Sequence, residues 1–287
     1  MLRRVDAAML AMVVVWGVNF PIVKITLREM SPMVFNALRF GGATVLLWAI
    51  GSHAGTPPVP RAAWPGLIAL GLLGNGVYQI AFIHGLVRTT ADNSSLILAM
   101  VPLFVAVLSV ALRIDRVSPR TWVGIVLAFV GLFLLVTNPS GLHLNRATLA
   151  GDGLTLVSAL CWAAYTVFSR PLLRTMSPLQ LTTLTMATGS PVLILASLPE
   201  LVRQPWGAVG WASWAAVTYS TLFPLAFGYT IWSASVQAVG GPRTAVYSNL
   251  IPMVTVLASW VLLGETLGLL QAAGAAIVLA GVSLARA

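Results

Sequence analysis

Charge is what this sequence has least of. Only 8% of its 287 residues are Asp, Glu, Lys or Arg, against about 25% in a usual soluble domain. Charge this scarce cannot solvate a globule of that length, which argues against a soluble enzyme of one or two domains. Disorder is excluded on the same grounds, because it needs low hydrophobicity and high net charge. Cysteine is nearly absent: Cys161 stands alone, so no internal disulfide and no Cys-based metal site can be built. His53, His84 and His143 are dispersed and form no ligand pair on one helix turn. A Walker-type Gly-Lys-Ser/Thr is missing, so ATP is not implied. No other cofactor is expected.

Acids are scarcer than bases, with 7 Asp+Glu against 16 Lys+Arg and a net charge of +9. In a soluble protein that excess would suggest nucleic acid. Here the bases are scattered singly between apolar runs, and no block exceeds Arg3-Arg4. They read as markers of membrane loops, with no nucleic-acid partner.

What the chain has in abundance is apolar residues, 58% of the total, and its mean hydropathy is +0.92. A spanning helix needs about 20 mostly apolar residues. Ten windows qualify: 7–27, 32–51, 64–86, 91–111, 119–137, 152–172, 178–199, 211–236, 242–263 and 267–285. Backbone polar groups must be satisfied within each run in lipid, so the runs must be helices. Arg3-Arg4 before an apolar run resembles a signal peptide, but the run continues to about Leu27 without a suitable cleavage site, so it reads as a retained first span. Arg3, Arg4, Arg61, Arg113, Arg116, Arg120, Arg170, Arg174, Arg243 and Arg286 fall on one side. Lys24, Arg28, Arg88, Arg146 and Arg203 fall on the other. That split predicts cytoplasmic termini; the cell inner membrane is the expected location.

The chain also repeats itself. A shift of 146 brings Trp16 onto Trp162, Lys24 onto Arg170, Arg28 onto Arg174, and Met30-Ser31-Pro32 onto Met176-Ser177-Pro178. A shift of 150 brings Pro102 onto Pro252, Asp115 onto Glu265, Gly124 onto Gly274 and Gly131 onto Gly281. The expected units are 1–140 and 151–287. Five spans per unit is an odd number, so the second copy runs upside down. Inverted repeats around a site near the midplane are a common design of secondary transporters. The expected fold is therefore an all-α membrane protein of ten transmembrane helices, two inverted five-helix repeats around a central cavity.

On several of these residues the chain resembles the drug/metabolite transporter superfamily, EamA-type. They are Trp16-Gly17-Val18-Asn19-Phe20, the Ala-Leu-Cys-Trp-Ala-Ala-Tyr stretch 159–165, Pro102 and Pro252, and Gly264-Glu265 ahead of Gly274 and Gly281. The likeness covers essentially the whole chain and is nearest in look to amino-acid exporters, including aromatic ones. It departs at Asp115, where the family more often has Glu. The resemblance implies efflux of amino acids and related metabolites.

Polar groups inside spans usually face the bundle interior or a wet cavity. Stripes at helical spacing pick out Trp16, Asn19 and Phe20; Asn75, Tyr78, Gln79 and Phe82; Ser158, Trp162 and Tyr165; Tyr229, Trp232 and Ser233; and Thr244, Tyr247 and Ser248, matched by Ser94 and Leu98. The plainer reading of any one is packing or interhelical hydrogen bonding. The set is expected to line a substrate site, with aromatics clamping the side chain and Asn, Gln, Ser and Tyr holding the polar end. Pro102 and Pro252 should kink their helices and free the carbonyls of Leu98 and Ser248. Pro21, Pro191 and Pro224 should do so for Gly17, Ala187 and Ser220. Freed carbonyls suit an ammonium group, although a simple kink needs no ligand.

No carboxylate lies at the centre of a span. Asp92 lies near the start of one, and Asp115 and Glu265 lie in turns. Uncoupled export is the expectation, with His84 the one group able to carry proton coupling. Arg39, inside the second span, is expected to pair with Glu29 or a helix-end carbonyl, or to hold a substrate carboxylate. The seven-residue Gly124/Gly131 and Gly274/Gly281 spacings read as close helix packing.

The partners expected are a small-molecule substrate, amino acids first, and the lipid bilayer. A monomer is the expected oligomeric state. The alternative is a proton-coupled exporter of drugs or metabolites. A channel or scramblase, and an intramembrane enzyme suggested by Gly151-Asp152-Gly153, rank below it.

Overall fold

The computed structural model describes residues 2–55, 57–89, 94, 97–136, 148–255, 257 and 269–286. All regular structure among them is helical. The α-helices are α1 (Leu2–Thr26), α2 (Pro32–His53), α3 (Trp64–Gly71), α4 (Tyr78–Arg88), α5 (Val101–Ala111), α6 (Pro119–Val136), α7 (Leu149–Leu172), α8 (Pro178–Arg203), α9 (Trp211–Ser220), α10 (Gly228–Val239), α11 (Gly241–Val246) and α12 (Leu269–Arg286). By length and apolarity alone, Pro32–His53, Arg61–Arg88, Leu149–Leu172 and Pro178–Arg203 suffice to cross a membrane.

The repeated Met-Ser-Pro tripeptide has a local cause. Ser31 and Ser177 are N-caps in extended backbone, accepting from Val34 N–H at 3.2 Å and Gln180 N–H at 3.1 Å. Proline follows at the first helical position, where no amide is needed. Met30 joins the apolar cluster of Phe35, and Met176 that of Leu181. Each is the hydrophobic staple of a helix start.

Two helices depart from the plain α-helices expected. A π-helical turn, Leu72–Val77, joins α3 to α4, and another, Thr221–Phe227, joins α9 to α10. The second contains Pro224, whose missing amide the wider turn accommodates. After α11 the chain tightens into a 3₁₀ turn, Tyr247–Leu250. Pro252 follows that turn, and Pro102 sits on the first turn of α5 after a turn at 99–100. Both prolines stand just past a break in the helix.

Helices pack in pairs across the two halves: α1 with α10, α2 with α8, α4 with α7, α5 with α11, and α6 with α12. The α6–α12 contact is backbone on backbone. A Cβ on Gly124 would lie 2.5 Å from the Gly281 carbonyl, and one on Gly131 would lie 2.8 Å from that of Gly274. The four glycines therefore face one another, as their spacing predicts.

The connections tie the ends of the bundle. At one end Gln204 donates to the Glu29 carbonyl at 2.7 Å and accepts from Ser31 N–H at 3.3 Å. At another, Gln237 donates to the carbonyls of Leu173 (2.6 Å) and Met176 (3.1 Å). There Arg170 pairs with Asp115 at 3.4 Å, and Asp115 also accepts from Gly241 N–H at 3.1 Å.

Candidate functional site

The interior is filled by aromatic rings from four helices. Trp162 of α7 lies 5.3 Å from Tyr78, 5.3 Å from Tyr165, 5.1 Å from Tyr229 and 5.3 Å from Trp232, centroid to centroid. Trp16 of α1 stacks on Trp232 at 5.6 Å and meets Trp162 edge-on at 6.0 Å. Phe82 extends the group through Tyr78 at 6.1 Å. The two tryptophans that coincide under the 146-residue shift are thus in contact. Offset and edge-on geometries suit the ring quadrupoles.

Polar ends within this cluster are paired by neighbouring helices. Trp16 donates its indole N–H to the Pro224 carbonyl at 2.9 Å, an acceptor presented by the π-helical turn. Gly228 lets the indole approach, since any Cβ there would collide with it. Trp232 donates to the Thr166 hydroxyl at 3.2 Å, and the Tyr165 hydroxyl meets Thr185 at 3.3 Å. Asn19 accepts from the Ser220 hydroxyl at 2.7 Å.

Arg39 lies against one side of the cluster, 8% exposed. Its Nε donates to Asn36 Oδ1 at 2.7 Å, and a terminal nitrogen donates to Gln79 Oε1 at 3.3 Å. The guanidinium lies over the rings of Phe35 (5.1 Å) and Phe40 (5.4 Å), and Phe40 packs edge-on against Tyr229. The expected pairing with Glu29 or a helix-end carbonyl is not what forms. Glu29 lies in the α1–α2 turn and accepts instead from the Ser213 hydroxyl at 2.6 Å and Gly210 N–H at 2.8 Å. Those groups open α9, where unpaired amides attract an anion. The Ser213 and Gly210 hydrogen bonds hold the Glu29 carboxyl below its ordinary pKa.

Other expected residues lie apart from the rings. Thr244 pairs with Ser235 at 2.8 Å, Tyr247 donates to Asp6, and the Ser248 hydroxyl donates to the Ala245 carbonyl at 2.7 Å. His84 accepts at Nδ1 from Arg88 at 3.1 Å, because a guanidinium only donates. Leu98 is half-buried against the core, and the buried Ser94 hydroxyl has no partner among the described residues. The Gly17 carbonyl accepts from the Thr255 hydroxyl at 3.2 Å, so this proposed ammonium acceptor is taken by the protein itself. The Phe20 side chain, Asp92 and Glu265 lie outside the described residues.

Sequence stripes missed Asn36, Phe40 and Thr182, whose hydroxyl meets that of the expected Ser233 at 3.0 Å beside Tyr229. Asn36 was findable: it precedes Arg39 by three residues, on the same helix face. Asn36 Nδ2 and both side-chain amide atoms of Asn75 are buried and have no partner among the described residues.

Long apolar helices with their polar groups turned inward define a multi-pass membrane protein. The chain belongs to the EamA-like transporter family, whose model matches residues 3–137 and 149–287. It is a transporter, not an enzyme. A transporter of Archaeoglobus fulgidus, itself uncharacterized, is 31% identical over 270 residues and 93% of each chain. A probable amino-acid metabolite efflux pump of Salmonella typhimurium is 29% identical, covering 95% of this chain and 91% of its own. A probable terminal-alkyne amino-acid exporter of Streptantibioticus cattleyicolor is 27% identical over 96% and 91%. One solved crystal structure, 18% identical, shares the fold with a TM-score of 0.82 over 99% of this chain and 96% of that chain.

Proposed function

We propose that this transporter exports amino acids, aromatic and other neutral ones, and related metabolites across the inner membrane by alternating access without ion coupling. Its ten spans form two inverted repeats, 1–140 and 151–287, with both termini cytoplasmic. The cross-half helix pairing supports the inverted repeat, because each pair joins a helix to its own equivalent or exchanges two such pairs. The π-helical turns and Ser-Pro caps recurring in both halves support it further.

The observation that carries the substrate reading is the ring cluster of Trp16, Tyr78, Trp162, Tyr229 and Trp232, with hydrogen-bonding groups at its edge. Rings drawn from both halves part and re-form when the halves rock, and a flat apolar side chain takes their place between them. The names of the Salmonella and Streptantibioticus relatives point to the same class of cargo. Asp6, Glu29, Asp115 and Asp152 are engaged with partners away from the rings, which favours an uncoupled carrier.

The test is flux in proteoliposomes with aromatic and aliphatic amino acids and a cationic dye, with and without a pH gradient. Saturable amino-acid flux indifferent to the gradient is expected. Tyr78→Ala or Trp162→Ala should lower it at least tenfold. Unchanged flux in both, with normal insertion, refutes the site. Strong gradient dependence refutes the uncoupled mechanism.

A further inference from the structure

Arg39 is a buried cation that no carboxylate among the described residues approaches; their one ion pair is Arg170 with Asp115. It stands seven residues into α2, about 10 Å from the helix start at 1.5 Å per residue. A charge at such depth is costly and marks function by default. Two of its five N–H donors have protein acceptors, Asn36 and Gln79, and both of these are neutral. The rings of Phe35 and Phe40 lie against the guanidinium, 5.1 and 5.4 Å from its carbon. A second observation adds to the arginine: the Asn36 amide Nδ2 is fully buried and has no acceptor among the described residues. One turn before Gln79, Asn75 is likewise buried, with neither its amide nitrogen nor its oxygen partnered among the described residues. Around Arg39 the unpartnered donors, one of them charged, outnumber the unpartnered acceptors, which suits an anionic oxygen.

We propose that Arg39, oriented by Asn36 and Gln79, is an anion-binding subsite that receives the carboxylate of the transported molecule. This deepens the export reading above and rests on it. A guanidinium fork matches a carboxylate bidentately, which an ammonium cannot do. Phe40, under the guanidinium, packs edge-on against Tyr229 of the ring cluster, so a carboxylate at Arg39 sets its side chain among the rings. The site selects amino and carboxylic acids and rejects organic cations.

The experiment uses the full chain in nanodiscs, with ligand-induced thermal shifts for phenylalanine, phenylalaninamide, benzoate and chloride, beside phenylalanine flux in liposomes. Phenylalanine and benzoate should stabilise the wild type, and phenylalaninamide should bind at least tenfold more weakly. Arg39→Gln should abolish the benzoate response and weaken phenylalanine at least tenfold, with phenylalaninamide unaffected. Arg39→Lys should keep a reduced benzoate response. The comparison of phenylalanine with its amide needs only the wild type, so it stands if a variant fails to fold. Equal binding of the two, a benzoate response that survives Arg39→Gln, or chloride matching benzoate overturns the subsite. Arg39-dependent benzoate binding without phenylalanine flux overturns the amino-acid reading and leaves the subsite standing.

Discussion

Trp16 shows how much of the interior depends on single atoms. Its ring stacks on Trp232 while its N–H reaches the Pro224 carbonyl. Trp16→Phe keeps a ring and removes the donor, so it should lower stability by about 1 kcal/mol. Unfolding of the purified protein measures this, and a neutral result would mean the hydrogen bond contributes nothing. The rings of the candidate site were open to proposal from the sequence because aromatics at three- and four-residue spacing share a helix face. What the spacing hid was the partner. Arg39 and Glu29 are opposite charges and close in sequence, yet each is taken by neutral groups that geometry brings nearer.

At the scale of elements, the helix starts were readable because Ser-Pro satisfies a local need. The π-helical turns were not, since apolar residues follow one another in either winding. Close packing of α6 on α12 was readable from glycine spacing, and it yields a prediction. Gly281→Leu would drive a side chain into the Ala128 backbone and should cost about 1–3 kcal/mol. A thermal melt in detergent checks it. The α1–α2 turn yields another. The Glu29 carboxyl titrates below its ordinary value of 4.5, so its hold on α9 is complete above that value and is lost as pH falls through the lower, folded one. A spin label attached at position 28 should therefore keep the same mobility from pH 8 to 5 and gain mobility only as pH falls below the ordinary carboxyl value of 4.5. Glu29→Ala should raise that mobility at neutral pH. An increase between pH 7 and 5 in the unaltered turn would contradict this.

For the whole molecule, the ordered landmarks of the two shifts led to the proposed inverted repeat, and the cross-half pairing of helices supports it. On that proposal, antiparallel copies put residues 28 and 174 on opposite sides of the bilayer. Impermeant thiol reagents added to cells should label a cysteine at 28 and spare one at 174. Labelling of both from one side would remove the inverted repeat and the alternating-access mechanism with it. The cross-half pairs also explain why the sequence could propose the aromatic stripes but not their contacts: the rings run from Trp16 to Trp232 along the chain and meet only once the halves are joined.

Such topology mapping is unusually clean in this chain. Its sole native thiol, Cys161, is buried beside Trp162, so one substitution gives a blank background. Left in place, the same sulfur is a built-in reporter: alkylation should proceed only when the rings around its neighbour come apart, and a tightly held cargo should slow the reaction.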